Sequence, residues 1–442
     1  MRLRNLIPLL LVALTACDEL LDVQPVDETA DTEAITDGAS AQAALVGAYA
    51  ALAGGSYYAG DILIMNDLLA DNAVHTGTLH SLAEADLLEV RADNGTVSGM
   101  WGQLYEAINR VNVILRDVPD VVGIAAGTRA RILAEAHFLR ALHYHHLVRL
   151  WGDVPLVLVP PATVDEASAV TRAPAADVYA QILADLDAAA DAVPASGPAI
   201  RATLGAVEAL RSRVLLHRSD WAGAEAAAEE VRAMGYALVD DFGDLFDAEG
   251  APTSEDIFRT VFTPSDYNIV GYYYISAACG GGRGEVALDP DLVTAFEAGD
   301  ERADWTILAV DDDLCGGKYP TTIGAEDVHV IRYAEVLLNL AEALARQNRL
   351  GEAVDVYNEL RVRAGLAEHE IGIDVATQQD VLDAIWHERR VELAQEGDRW
   401  SDLVRTGRAE AVLGAEACSL LLPIPQGELD VAPNLEPNPV CG

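Results

Sequence analysis

Glu388, Glu392 and Glu396 recur at four-residue intervals near the end of the chain, a spacing that sets three carboxylates on one face of a helix. Two carboxylates roughly 5–10 Å apart are what a glycosidase needs. Arg389, Arg390 and Arg399 are interleaved with them, and cations at this spacing offset the repulsion of like charges. An ion-paired structural helix is therefore preferred to a catalytic one. His137, His143, His145 and His146 form a second concentration; His143 and His146 share a helix face, but two ligands without a third make a poor zinc site. Packing on an amphipathic helix is the simpler role. Asp311-Asp312-Asp313 could help hold calcium through oxygen ligands, yet it lacks the Gly and Glu spacing of an EF-hand. Gly280-Gly281-Gly282-Arg283-Gly284 lacks the Lys-Ser/Thr of a phosphate loop, and no GxSxG elbow is present. No catalytic residue, metal or cofactor is assigned.

Binding is better supported. Sugar and peptide sites use aromatic platforms flanked by a few amides and carboxylates that fix orientation. Trp151, Trp221, Trp386 and Trp400 lie on helices with packing roles, which leaves Trp101 and Trp305 as the freer tryptophans. Tyr57-Tyr58, Tyr267 and Tyr272-Tyr273-Tyr274 are the aromatic groups in loop-like stretches, and Asp71-Asn72-Ala73-Val74-His75 supplies polar groups after an apolar helix end. Asp71, Asn72, His75, Trp101, Tyr267, Tyr272 and Tyr273 are the candidate ligand-binding residues.

These residues need a scaffold, and the scaffold is helical. Apolar residues at i, i+3, i+4 and i+7 predict helices over 39–52, 97–118, 128–151, 175–193, 203–218, 222–234, 328–347, 350–364 and 379–396. Strand patterns are few and short, at 257–262 and 272–276. Two helix pairs look like copies of one unit. Leu215-Leu216-His217-Arg218-Ser219-Asp220-Trp221-Ala222-Gly223-Ala224 matches Leu344-Ala345-Arg346-Gln347-Asn348-Arg349-Leu350-Gly351-Glu352-Ala353, and both resemble the tetratricopeptide helix-turn-helix. Two such units are too few for a free solenoid, so they are expected to pack into one large, mainly α body. Residues 240–326, rich in Gly, Tyr, Asp and Pro, read as an irregular region laid over it, where binding residues concentrate.

The start of the chain carries an address. Arg2 and Arg4 precede an apolar run from Leu6 to Ala16, too short for a bilayer span of roughly 20 residues but suited to a secretory signal. Leu14-Thr15-Ala16-Cys17 resembles a bacterial lipobox, which implies removal of 1–16 and lipidation of Cys17. That leaves Cys279, Cys315, Cys418 and Cys441, an even number in an exported chain where disulfides persist. Chain order suggests Cys279–Cys315 and Cys418–Cys441, one of three pairings. The net charge of −42, with Lys318 the only lysine, repels nucleic acid and anionic headgroups and suits a salty habitat. Membrane attachment then rests on lipid alone.

Longer motifs resemble the SusD/RagB family of outer-membrane lipoproteins. They are Glu135-Ala136-His137-Phe138-Leu139-Arg140-Ala141 leading to Leu150-Trp151-Gly152-Asp153-Val154-Pro155-Leu156, Tyr333 to Ala343, Tyr357 to Leu366, Ile385 to Leu403, and the tail from Leu422-Pro423-Ile424-Pro425 to Asn434-Leu435-Glu436-Pro437-Asn438-Pro439. Glu436 stands where the family usually has glutamine. The resemblance implies a tether over 17–38, a SusD-like N-terminal helical region over 39–239 and a SusD/RagB C-terminal region over 240–442, with tetratricopeptide-like helices at 327–410. It further implies a surface-exposed, non-catalytic lipoprotein that captures an oligosaccharide or peptide. Its partner would be a TonB-dependent, SusC-like transporter of the outer membrane, and Asp18 and Glu19 could serve as its export label. A surface hydrolase using Glu388 or Glu392, and a non-catalytic helical-repeat scaffold, are the rival readings.

Overall fold

The two predicted helix pairs form as copies of one another. Leu204–His217 and Trp221–Arg232 make the first, Tyr333–Arg346 and Leu350–Arg363 the second. Each turn places one residue in the left-handed region, Ser219 at φ 59° and Asn348 at φ 63°. Asp220 N–H then bonds Leu215 O at 2.9 Å, and Arg349 N–H bonds Leu344 O at 3.0 Å. Serine and asparagine tolerate this conformation better than branched residues do, and fully buried Ala224 and Ala353 let the helices cross closely. The computed structural model that shows this describes residues 35–246, 250–311 and 313–438. The signal segment, residues 17–34 with Cys17, and Asp312 and Cys441 lie outside the described residues.

The remaining predicted helices appear at Gly38–Ala50, Gly95–Asp117, Ala126–Trp151, Ala175–Ala190 and Gln378–Glu392. They stack around one core that runs from Ile35 to Leu435 and joins both halves of the chain. Each Leu-sized side chain buried there contributes roughly 1.5–3 kcal/mol. Buried polar ties fix the stacking. Arg140 donates to both oxygens of Asp185, at 2.9 and 2.7 Å, and so joins two long helices. Glu135 accepts from Tyr49 at 2.7 Å and Arg201 at 2.6 Å. At the far end, Trp151 Nε1 donates to Pro423 O at 3.0 Å, and the Asn438 amide donates to Trp151 O at 3.0 Å. The Leu-Trp-Gly stretch and the proline-rich tail are thus two sides of one contact.

Three predicted elements change. Val328–Arg332 is a strand rather than the first turn of a helix, because its β-branched residues pair antiparallel with Asp256–Thr260. The predicted strand at 272–276 is replaced by a short helix, Val270–Tyr274. Asn268 Oδ1 accepts from Val270 N there, and Gly271 packs so tightly that an added Cβ would lie 2.3 Å from Thr321 O. Finally, Gln378–Glu392 stops short of Glu396: Gln395 and Gly397 both take positive φ, so Glu396 leaves the helix axis on which Glu388 and Glu392 lie.

Residues 240–326 carry short pieces only. The irregular region is pinned to the body by antiparallel pairing of Val286–Leu288 with Ala73–His75. A hairpin, Ile307–Val310 with Asp313–Gly316, is joined to the neighbouring loop by the Cys279–Cys315 disulfide. Cys418 is also disulfide-bonded, while Cys441, its expected partner, lies outside the described residues.

Candidate functional site

The three carboxylates that could have been catalytic are sealed. Glu388 accepts from Arg302 at 2.9 Å and Arg361 at 2.5 Å. Glu392 takes Arg302 at 3.3 Å, Arg332 at 2.5 Å and Arg363 at 2.5 Å. Glu396 takes Arg332 at 2.7 Å and Lys318 at 2.7 Å. Glu388 and Glu392 are fully buried, and the carboxylate side chain of Glu396 is nearly so. Burial works against the charge of Glu392, yet Arg363, Arg332 and Arg302 outweigh it and hold its carboxyl well below the usual range. Burial also opposes the charge of Glu396, but Arg332 and Lys318 bring it down to about 2. Carboxylates this committed cannot reach a glycosidic bond. The cations differ from those the sequence spacing pointed to. Interleaved Arg389 bonds Asp402 and, at 2.7 Å, Asn339, while Arg390 and Arg399 turn to Asp71 at 3.2 and 2.6 Å.

The histidine concentration packs. His143 Nδ1 shares a hydrogen bond with Tyr57 at 3.0 Å, and His146 Nε2 with Tyr58 at 2.6 Å. His145 meets the ring of His217 edge-on at 5.0 Å. Tyr57 and Tyr58 are therefore core residues, not loop platforms. Among the described residues, Glu297, His387 and Glu388 bring three ligand-type atoms within 4.8 Å. Arg361 bonds both Glu297, at 2.6 Å, and Glu388, at 2.5 Å, so a guanidinium already holds that corner.

An accessible aromatic face forms where the irregular region meets the strand Ala73–His75. Tyr272, 39% exposed, and Tyr273 sit side by side with ring centroids 6.2 Å apart. The glycine run Gly280–Gly284, unreadable as a phosphate loop, folds back over them. Arg283 N–H bonds Tyr272 O at 2.8 Å, and at Gly282 a Cβ would lie 2.1 Å from Ile275 O. This fold-back sets the Arg283 guanidinium 5.8 Å over the Tyr273 ring. Glu285 then organises the rim: it accepts from Arg283 Nε at 2.5 Å and from the backbone of Thr78 and Leu79 at 2.8 and 2.9 Å. His75 Nε2 lies 3.5 Å from the same carboxylate. Asp61 opens the helix Asp61–Leu68 next door, where Ala59 O accepts from Ile269 N at 2.7 Å. Burial pushes the Asp61 carboxyl up to about 6, opposed by a hydrogen bond from Ser56. Exposed rings offer flat apolar faces, and the flanking guanidinium and carboxylate can bond hydroxyls.

Of the seven candidates, His75, Tyr272 and Tyr273 come together here. Tyr267 is 57% exposed on the loop just before them. Asp71 and Asn72 are taken up in polar contacts of their own: Asp71 is ion-paired as above, and Asn72 accepts from Arg390 at 3.2 Å and donates to Asp67 at 3.2 Å. Trp101 is not free; at 2% exposure it packs 4.9 Å from Tyr105 and 5.4 Å from Trp151, in the wall of a separate cleft of about 720 Å³. Sequence reasoning missed Arg283 and Glu285. Only the glycine run hinted that Arg283 would be carried on a tight loop.

Known proteins share both sequence and fold with this chain. Residues 314–417 match the SusD family, and residues 19–216 match a SusD-like family described as starch-binding and associating with the outer membrane. SusD-like protein P2 of Formosa agariphila is 28% identical, with 97% of each chain aligned. The starch-binding protein SusD of Bacteroides thetaiotaomicron is 32% identical over a shorter stretch, 37% of this chain and 26% of that one. A SusD superfamily protein of Bacteroides vulgatus superposes with a TM-score of 0.83 at 23% identity, covering 91% of this chain and 98% of the other. A laminarin-binding SusD-like protein gives 0.79 at 25% identity, covering 92% and 100%. With a match in each half of the chain, a relative aligned along nearly its whole length and the helical architecture in common, this chain belongs to the SusD/RagB family.

Proposed function

We propose that this chain is a non-catalytic capture protein, lipid-anchored through Cys17 and facing outward from the outer membrane. It binds an oligosaccharide on the Tyr272–Tyr273 face and delivers it to a TonB-dependent, SusC-like transporter. The observation that carries the reading is an aromatic pair on the short helix Val270–Tyr274, exposed at Tyr272 and half-buried at Tyr273, in a region pinned by a glycine fold-back, a strand pairing and a disulfide. Related proteins named for starch and laminarin binding favour a glycan over a peptide. Among the described residues no helix is long and apolar enough to cross a membrane, which accords with attachment by lipid. The sealed state of Glu388 and Glu392 argues against the hydrolase reading.

Replacing both Tyr272 and Tyr273 with alanine is expected to weaken glycan binding at least tenfold, since aromatic platforms carry much of such an interface. Helical circular dichroism should be unchanged. Calorimetric titration with a panel of oligosaccharides checks it, and undiminished affinity in the double variant would move the site elsewhere. Delivery is tested separately. A large β-barrel transporter is expected to co-purify with the tagged chain from gently solubilised outer membranes, and recovery of the chain alone would favour a free-standing binder or scaffold.

A further inference from the structure

The ion pair at the rim of the aromatic face joins two unlike partners. Glu285 is enclosed, its side chain 2% exposed. Its oxygens are ringed by donors of this chain: Arg283 Nε at 2.5 Å, Thr78 Oγ1 at 3.3 Å and the backbone N–H groups of Thr78 and Leu79. At Gly77 a Cβ would lie 2.1 Å from Glu285 Oε2, so the loop closes on the carboxylate only because glycine stands there. Burial opposes the charge of Glu285, yet the bonds from Leu79, Thr78 and Arg283 hold its carboxyl below the ordinary value. Its acceptor capacity is taken up inside the protein. Arg283 is the converse, with a side chain 39% exposed. Nε is tied to Glu285 and Nη2 approaches Thr78 Oγ1 at 3.5 Å, but Nη1 has no partner among the described residues. An unused donor therefore belongs to a guanidinium whose carbon lies 5.8 Å over the Tyr273 ring, beside exposed Tyr272.

We infer that Arg283 is the specificity-determining polar contact of this face, donating from Nη1 to an acceptor oxygen of a sugar laid on Tyr272 and Tyr273, and that Glu285 is a positioning residue acting through it. The inference rests on the capture reading above. A guanidinium keeps its charge at every working pH and donates without accepting. The corner thus reads an oxygen that can accept, whether a hydroxyl or ring oxygen of a neutral sugar or the carboxylate of a sugar acid. An arginine already fixed by its ion pair loses less rotamer freedom when the sugar arrives. That is the contribution of Glu285, made without touching the ligand. Lysine is no substitute, because its ammonium is a compact point charge that would settle against Glu285 rather than reach from it to a sugar.

Calorimetric titration of the wild-type chain uses neutral gluco-hexaoses of several linkages in one arm and hexameric oligouronates in the other, so the arm that binds tells whether the acceptor is a hydroxyl or a carboxylate. For that sugar, Arg283→Gln is expected to weaken binding at least about tenfold, as loss of a hydrogen bond from a charged donor does. Arg283→Lys should recover less than about threefold of the loss, and Arg283→Ala is the second variant in case the first fails to fold. Glu285→Gln, with Glu285→Asp in reserve, should weaken binding at least about threefold on its own and add nothing in the Arg283→Gln background. A merely structural Glu285 would lower affinity in both backgrounds, and that result overturns its positioning role. Affinity kept by Arg283→Gln and Arg283→Ala but lost in Tyr272→Ala overturns the role of Arg283 and leaves the capture site standing. If neither arm binds the wild-type chain, the capture reading itself falls.

Discussion

Arg332→Met should destabilise the folded chain by roughly 3–5 kcal/mol, the range seen when one partner of a buried ionic group is removed. Arg332 is completely enclosed and donates to three carboxylates: Glu392 at 2.5 Å, Glu396 at 2.7 Å and Glu255 at 3.2 Å. Methionine fills similar space but leaves those charges in a low-dielectric interior. Only Lys318, Arg302 and Arg363 would remain to hold them, and Arg302 is also bound to Asp300 at 2.8 Å. Arg349 makes a useful contrast. It pairs with Glu225 and Glu352 on the surface, where solvent screens the interaction and exposed pairs add little. Urea unfolding of the two variants should therefore differ sharply. A loss below about 1 kcal/mol for Arg332→Met would mean that the network is not holding charged carboxylates at all.

Stability should also fall steeply as the solution is acidified below pH 6.5. Burial holds His143 down at about 3. His145, His146 and His217 are likewise driven well below their ordinary value, by burial first and then by neighbours that include Arg149, Arg213 and Arg405. A folded pKa below the unfolded one gives stability that is complete above about pH 6.5 and drains away as pH falls toward the folded value. Four protons then favour the unfolded chain. Asp61 and Asp67 act in the opposite direction, because burial raises both to about 6 and the folded chain takes up their two protons first. His329, raised by its bond to Asp256 against burial, is protonated in both states by about pH 5.5 and adds no slope there. His369 and His387, also lowered by burial, join the four, and Glu208, Asp289, Asp327, Glu359 and Glu428, raised by burial, join the opposing carboxylates. The deep shifts of the enclosed histidines set the sign, so stability falls as pH drops from about 6.5 toward 4.5. Urea midpoints across that range test this. Neither ring nitrogen of His145 finds a hydrogen-bond partner among the described residues, so His145→Leu should remove about one proton from the slope and leave stability at pH 7.5 nearly unchanged. A flat profile from pH 7 to 5 would contradict the whole account.

Much of the scaffold was legible because its cause is local. Helical periodicity placed the long helices to within a few residues, and the repeated polar turn identified Ser219 and Asn348 as equivalent before any coordinate was known. What escaped was decided by contacts between distant segments. Val328–Arg332 became a strand because Asp256–Thr260 lies beside it. Tyr272–Tyr274 became helical because Asn268 and Gly271 fix the chain there. Glu388 and Glu392 were rightly read as structural, but their partners Arg302, Arg332 and Arg361 lie at least 27 positions away, beyond any spacing rule. The face itself was half visible. Exposed tyrosines and His75 could be picked out by type and setting, whereas Glu285 looks like an ordinary acid in so acidic a chain. Trp101 misled for the opposite reason: its surroundings read as open, but Trp151 closes over it from another helix.

Lys318 has a practical bearing on how this protein can be handled. It lies sealed between Glu396 and the rings of Phe242 and Phe246, with burial lowering its amine to about 8 against the pull of Glu396. As the only lysine in the sequence, it leaves the folded surface without a side-chain amine. Acylating dyes, biotin esters and amine crosslinkers thus have no lysine to attack until the core opens. A search for contacts with the proposed transporter calls for carboxylate-directed crosslinking instead, and incorporation of an acyl group at Lys318 becomes a single-residue clock for global opening.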